Sequence, residues 1–97
     1  MAYGASSSAS GANNIAYGHS SQAHGAHSNN IAFGTSAESD GTNGVAFGAD
    51  SESNGVNALA FGASSRAIGN RVISVGSGST SEGDDVIALG ASSSAIG

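Results

Sequence analysis

Glycine recurs in this chain at 4, 11, 18, 25, 34, 41, 48, 55, 62, 69, 76, 83, 90 and 97, and twelve of the thirteen intervals are seven residues long. The exception, Gly25 to Gly34, is nine, and only Gly44 and Gly78 fall outside the series. A fixed period of this kind marks a stacked repeat, in which each unit buries its inner face only against its neighbours. It also decides against a heptad helix. A coiled coil needs large apolar residues at a and d, and a glycine in every heptad destabilises it.

Counting backwards from each glycine (position 0) shows that alternate heptads differ, so the unit is fourteen residues. Position −2 is Ala or Ser throughout, as in Ala16, Ala23, Ala32, Ala46, Ala60, Ala67 and Ala88. At −3 and −1, one half-repeat is apolar in every copy: Met1/Tyr3, Ile15/Tyr17, Ile31/Phe33, Val45/Phe47, Leu59/Phe61, Ile73/Val75 and Ile87/Leu89. The other half carries Ser8/Ser10, Gln22/His24, Glu38/Asp40, Glu52/Asn54, Arg66/Ile68, Thr80/Glu82 and Ser94/Ile96. Successive side chains of a strand point to opposite faces. The parity therefore predicts an all-β, parallel β-roll, a solenoid of about seven 14-residue coils with two short strands per coil. At about 4.8 Å per coil it would be a rod on the order of 34 Å long. Positions −2 and 0 are expected on the inner face, with Ala16, Ala23, Ala32, Ala46, Ala60, Ala67 and Ala88 as the roll interior.

Composition alone points elsewhere. Gly, Ser and Ala fill 54 of 97 positions, and Leu, Ile, Val and Phe number 16, a shortage that usually means disorder. The repeat resolves the conflict, because small residues suffice for a very thin core while the large apolar ones are held on one outer stripe. That stripe comprises Tyr3, Ile15, Tyr17, Ile31, Phe33, Val45, Phe47, Leu59, Phe61, Ile73, Val75, Ile87 and Leu89. Left in water it would exceed the apolar patches monomers carry, so it is expected to join identical chains in a parallel homo-oligomer, whose subunit number the period leaves open. The polar half-repeat supplies the candidate ligand-facing surface: Gln22, His24, Glu38, Asp40, Glu52, Asn54, Arg66 and Ile68.

Turn chemistry agrees. Short polar steps such as Ser6-Ser7, Asn13-Asn14, Ser20-Ser21, Asn43-Gly44, Ser64-Ser65 and Ser92-Ser93 follow the glycines, and such residues bond to their own backbone or tolerate the left-handed region. Ser7, Ser21, Ser51, Ser65, Ser79 and Ser93, with Ala37 the departure, form a column expected to satisfy turn amides. The two extra residues, around Ser28-Asn29, are expected to bulge from a turn without disturbing the stack. Residues one coil apart are stacked neighbours, so Glu52–Arg66 and Arg71–Asp85 are expected to pair, each worth under about 1 kcal/mol if exposed.

Other chemistries find little support. Two basic residues against seven acidic give a net charge of −5, which argues against nucleic acid or anionic lipid as partner. There is no cysteine, and no apolar run approaches the roughly 18 residues of a membrane span. His19, His24 and His27 cluster within one coil, but solvated surface is the simpler reading and no metal or other cofactor is expected. A Ser21/His24/Asp40 triad is an accident expected among 20 serines. Gly76-Ser77-Gly78 lacks the following helix of a nucleotide loop, and Asp84-Asp85 reads as a solvated turn. A narrow rod offers no concave site, so no enzyme is expected. Ice binding would need ranks of Thr, which occurs only at 35, 42 and 80.

The sequence resembles the head repeats of trimeric autotransporter adhesins, the YadA-like heads, whose consensus runs Asn-x-Val-Ala-Ile-Gly-x-x-Ser-x-Ala-x-Gly. Asn13-Asn14-Ile15-Ala16-Tyr17-Gly18 with Ser21, Ala23 and Gly25 fits it. So do Asn43-Gly44-Val45-Ala46-Phe47-Gly48 with Ser51 and Gly55, and Asn57-Ala58-Leu59-Ala60-Phe61-Gly62 with Ser65, Ala67 and Gly69. Departures are Arg71 and Asp85 for the turn Asn, and an aromatic for the consensus Ile in five coils. The resemblance implies a left-handed β-roll and a parallel homotrimer. It further implies residues 1–97 as one head domain of a longer adhesin, the signal, neck, stalk and membrane anchor lying outside this sequence. The implied role is attachment to host cells or extracellular matrix at a bacterial surface, exposed from the outer membrane. A receptor-binding segment of a phage tail fibre is the alternative.

Overall fold

The computed structural model describes residues 2–11, 13–25 and 29–97. Each heptad forms one short strand, and the strands alternate between two parallel sheets with no helix among the described residues. The apolar sheet contains β1 (Ala2–Tyr3), β3 (Ile15–Tyr17), β5 (Ile31–Phe33), β7 (Val45–Phe47), β9 (Leu59–Phe61), β11 (Ile73–Val75) and β13 (Ile87–Leu89). The polar sheet contains β2 (Ser8–Ser10), β4 (Gln22–His24), β6 (Glu38–Thr42), β8 (Glu52–Val56), β10 (Arg66–Ile68), β12 (Thr80–Glu82) and β14 (Ser94–Ile96). The chain is therefore a β-solenoid of about six turns, with extents of 32 × 24 × 11 Å.

Partners in the register lie fourteen residues apart, as in Val45↔Leu59 and Glu52↔Arg66. At one step the offset is sixteen, Ile15↔Ile31 and Gln22↔Glu38, so the two extra residues are accommodated between paired strands. Of the expected bulge at Ser28-Asn29, Ser28 lies outside the described residues.

The inner face differs from the expectation of positions −2 and 0. Position −2 does point inward: Ala16, Ala23, Ala32, Ala46, Ala60, Ala67 and Ala88 are buried. The repeat glycines do not share that face, because φ from 112° to 147° breaks strand alternation at each corner. A Cβ on Gly4, Gly18, Gly34, Gly48, Gly62 or Gly76 would point along the stack and meet the carbonyl oxygen of the next coil's glycine at 2.4–2.7 Å. The second inner residue is position −4. In one corner this is the serine column, with Ser21, Ser51, Ser65 and Ser79 buried; in the other it is Asn14, Asn30, Gly44, Ala58, Val72 and Val86. One cross-section thus holds four small side chains, for example Ser51, Ser53, Ala58 and Ala60.

The serine column also works in the opposite sense to that expected. Its hydroxyls donate to the carbonyl three residues back, as in Ser21 Oγ to Gly18 O, Ser51 Oγ to Gly48 O and Ser65 Oγ to Gly62 O, all at 2.9 Å. The same carbonyls receive the serine amides at 3.2–3.3 Å, closing type II-like turns whose third residue is left-handed, such as Ser20 and Ser64 at φ 59° and 60°. Buried turn amides are instead taken up by asparagine. Asn14 Oδ1 accepts from Asn30 N at 2.9 Å, and Asn30 Oδ1 accepts from Gly44 N at 2.8 Å. A Cβ on Gly44 would stand 2.9 Å from Ser39 Oγ and 3.0 Å from Ser53 Oγ, so any side chain there would have to displace those two hydroxyls.

Ser53 Oγ donates to Ala58 O at 2.7 Å, and Ser74 and Ser79 share a hydroxyl contact at 2.7 Å. Ser39 Oγ, by contrast, is buried without a hydrogen-bond partner among the described residues. An unsatisfied buried hydroxyl is destabilising by about 1–3 kcal/mol, so Ser39→Ala is expected to leave stability unchanged or raise it by about 1 kcal/mol. A thermal melt of the variant checks this, and a clear loss of stability would mean that the hydroxyl is bonded.

Candidate functional site

The roll has two outer faces of opposite character. On the apolar sheet, the 4.7 Å strand spacing carries Tyr3, Tyr17, Phe33, Phe47 and Phe61 into one ladder, with ring centroids 4.6–4.7 Å apart and planes within 3°. Val75 and Leu89 continue this column in register. Ile15, Ile31, Val45, Leu59 and Ile73 run beside it half-buried, while Ile87 is exposed. Even inside the ladder, where each ring is covered above and below, Phe33 and Phe47 remain 38% and 37% exposed, and Leu89 at the far end is 66% exposed. The exposed part is the outward ring edge, which none of the described residues covers.

The polar sheet presents two columns. In one, Gln22, Glu38, Glu52 and Arg66 follow in register, so the like charges of Glu38 and Glu52 are neighbours and Arg66 relieves the second of them. The Arg66–Glu52 contact is 3.4 Å long and largely exposed. In the other column His24, Asp40, Asn54 and Ile68 follow one another, and Glu82 separates Ile68 from Ile96. Screening and side-chain entropy leave exposed pairs little net worth. Glu52→Ala and Arg66→Ala are each expected to change stability by under about 1 kcal/mol, and a melting shift of several kcal/mol would show that the pair is buried in the functional assembly.

Arg71 and Asp85 pair at the corner through two contacts, one of them Arg71 Nη2 to Asp85 Oδ2 at 3.1 Å. The hydrogen bond from Arg71, with its charge, lowers the Asp85 carboxyl below its usual range, and the same bond raises the guanidinium. A carboxyl lowered on folding adds stability above its unfolded pKa and loses it as pH falls through the lowered value. The pair is fully exposed, so the contribution is slight.

The other candidate chemistries do not assemble. Ser21 faces inward, spent on Gly18 O, while His24 and Asp40 face outward on the polar sheet, so the three cannot form a triad. His19 Nδ1 sits 3.2 Å from Ser20 Oγ, and His24 Nε2 is 3.4 Å from Ser8 Oγ. His27 lies outside the described residues. No metal-binding group of three or more His, Asp or Glu side chains occurs among those described. Asp84 Oδ1 accepts from Asn70 N at 3.3 Å, which ties it to the coil below.

A two-sheet roll of fourteen-residue coils, each bearing Ala or Ser inward and a Gly corner, is the geometry against which family membership can be judged. The family model of the YadA head domain repeat, which spans two copies, matches residues 31–51, 53–79 and 73–93, more than half of the chain. The chain belongs to the YadA head repeat family. The matched segments run from β5 through the corner after β13, and the coils before Ile31 continue the same two sheets in register. A search of curated proteins finds no match.

Asparagine's part in this head repeat is the feature that reading outer faces missed. Asn14 and Asn30 stand at −4, with the same parity as the Ala at −2, and that parity was the available signal of their burial.

Proposed function

We propose that this chain is the adhesive head of a trimeric surface fibre. Three parallel copies meet through the stripe from Tyr3 to Leu89, and their polar sheets face outward to contact host matrix or cell-surface ligands at a bacterial outer membrane. The observation that carries this reading is the contrast between the faces: an aromatic ladder with uncovered ring edges on one sheet, charged and amide side chains on the other. Membership of the head repeat family supports assembly and attachment as the general role. Repetition supports the mode of binding, because weak contacts repeated along each rod and over three rods gain avidity with no deep pocket. The role is structural and non-catalytic.

The test is sedimentation followed by a binding panel of matrix proteins and host cells. The expected result is a particle of three chains that binds at least one of these ligands saturably, with binding weakened by substitutions at Glu38, Asp40 and Glu52. A stable monomer, or a trimer that binds nothing on the panel, would overturn it.

A further inference from the structure

We propose that Asn43 is a spontaneous deamidation site of this chain, and that the buried carboxamide of Asn30 holds the reaction off in the folded roll. An asparagine followed by glycine is the pair most open to this chemistry, because glycine has no Cβ to obstruct its own nitrogen or limit its backbone rotation. The sequence contains two such pairs, Asn43-Gly44 and Asn54-Gly55. The second lies within β8, with Asn54 paired to Asp40 and Ile68 and Gly55 to Gly41. Asn43-Gly44 lies at the corner between β6 and β7, outside both strands. Its asparagine is exposed, at φ 57°, where solvent water and base reach the side chain.

In the reaction, Gly44 N loses its proton and bonds to Asn43 Cγ, the Cγ–Nδ2 bond breaks, and ammonia leaves with the proton it has gained. Solvent water then opens the cyclic imide at either carbonyl, giving aspartate or isoaspartate. The nucleophile is the atom the fold has tied down. Gly44 is buried, and its N–H donates to Asn30 Oδ1 at 2.8 Å. Asn30 is fixed from its other end, with Nδ2 donating to His24 O and, at 2.7 Å, to Gly41 O. Asn43 Oδ1 is engaged with the coil below, accepting from Asn29 Nδ2 at 3.3 Å. Attack requires Gly44 to give up both its proton and its orientation, and each breaks the bond to Asn30. One buried side chain is therefore the lock. An isoaspartate would add a methylene to the main chain just before Gly44, two residues ahead of Val45, whose pairing with Ile31 and Leu59 depends on the repeat length.

The experiment is peptide mapping by mass spectrometry of the full chain aged at mildly alkaline pH, scoring conversion at Asn43 and Asn54 separately and identifying isoaspartate by enzymatic methylation. The free peptide covering 37–49 serves as reference. Asn30→Ala is the variant, since Ala58 occupies the same inner column two coils on and fits it. The folded wild type is expected to convert Asn43 at least about tenfold more slowly than the peptide, and Asn30→Ala to restore most of that factor while Asn54 stays slow. Hydrogen exchange should show the Gly44 amide losing protection in the variant while Val45, bonded to Ala58 O at 2.9 Å, keeps it. Equal rates in protein and peptide would overturn the protection. A parallel rise at Asn43 and Asn54 would overturn Asn30 as the lock, since general unfolding would then account for both.

Discussion

A chain carrying Phe33→Asp and Phe47→Asp is expected to sediment as a monomer without the circular dichroism of a sheet. The two rings stand at the middle of the aromatic ladder, 4.6 Å apart and each stacked on both sides. Two carboxylates there would remove stacking worth about 0.5–1.5 kcal/mol per aromatic pair and place like charges on adjacent strands. In the proposed trimer the larger loss is in assembly, because a charge buried between chains without a partner costs several kcal/mol per copy. The inner residues are Ala, Ser, Asn and Val, so the roll's own core is thin and the proposed assembly would supply much of its apolar burial. A folded, soluble monomer would show that the stripe is no interface and would remove the trimer from the proposed function.

Gly48→Ala is expected to unfold the roll or split it at the coil concerned, and Gly78→Ala to do markedly less. Both residues have positive φ, 129° and 71°, so both variants carry backbone strain of about 1–3 kcal/mol. Only Gly48 has a backbone neighbour in the way: its added Cβ would lie 2.6 Å from Gly62 O and 2.7 Å from Gly62 C, whereas at Gly78 the nearest atom is Ser92 Oγ at 3.7 Å, an ordinary contact. A backbone carbonyl in a paired coil cannot retreat as a side chain can, so the clash separates β7 from β9. Melting curves of the two variants measure the difference. Equal losses at both sites would mean that φ alone explains the regular spacing of glycine, with close coil contact playing no part.

Much of this was legible in the residues themselves. The fourteen-residue unit, the parallel register and the opposite character of the two outer faces follow from the spacing of glycine and the period of two in strands. Val45 above Ile31 and Arg66 above Glu52 could be placed by counting. The inner face was read less well, because counting assumed that alternation persists through the glycine. At φ near 130° it does not, so Gly62 belongs to the corner while Ala58, four residues before it, belongs to the core. Asparagine took the duty expected of the serine column for a related reason. A hydroxyl on the short Ser51 side chain reaches the carbonyl of its own turn, whereas the longer Asn30 carboxamide spans to the amide of the next coil.

Sequence alone therefore determined the repeat unit, the strands and which side chains share a column, since all of these depend on chain period and residue size. Tertiary structure decided where the corners turn, which inner polar group takes which backbone partner, and that Ser39 is left without one. Those outcomes depend on distances of a few tenths of an ångström between coils fourteen residues apart, and no local rule along the chain specifies them.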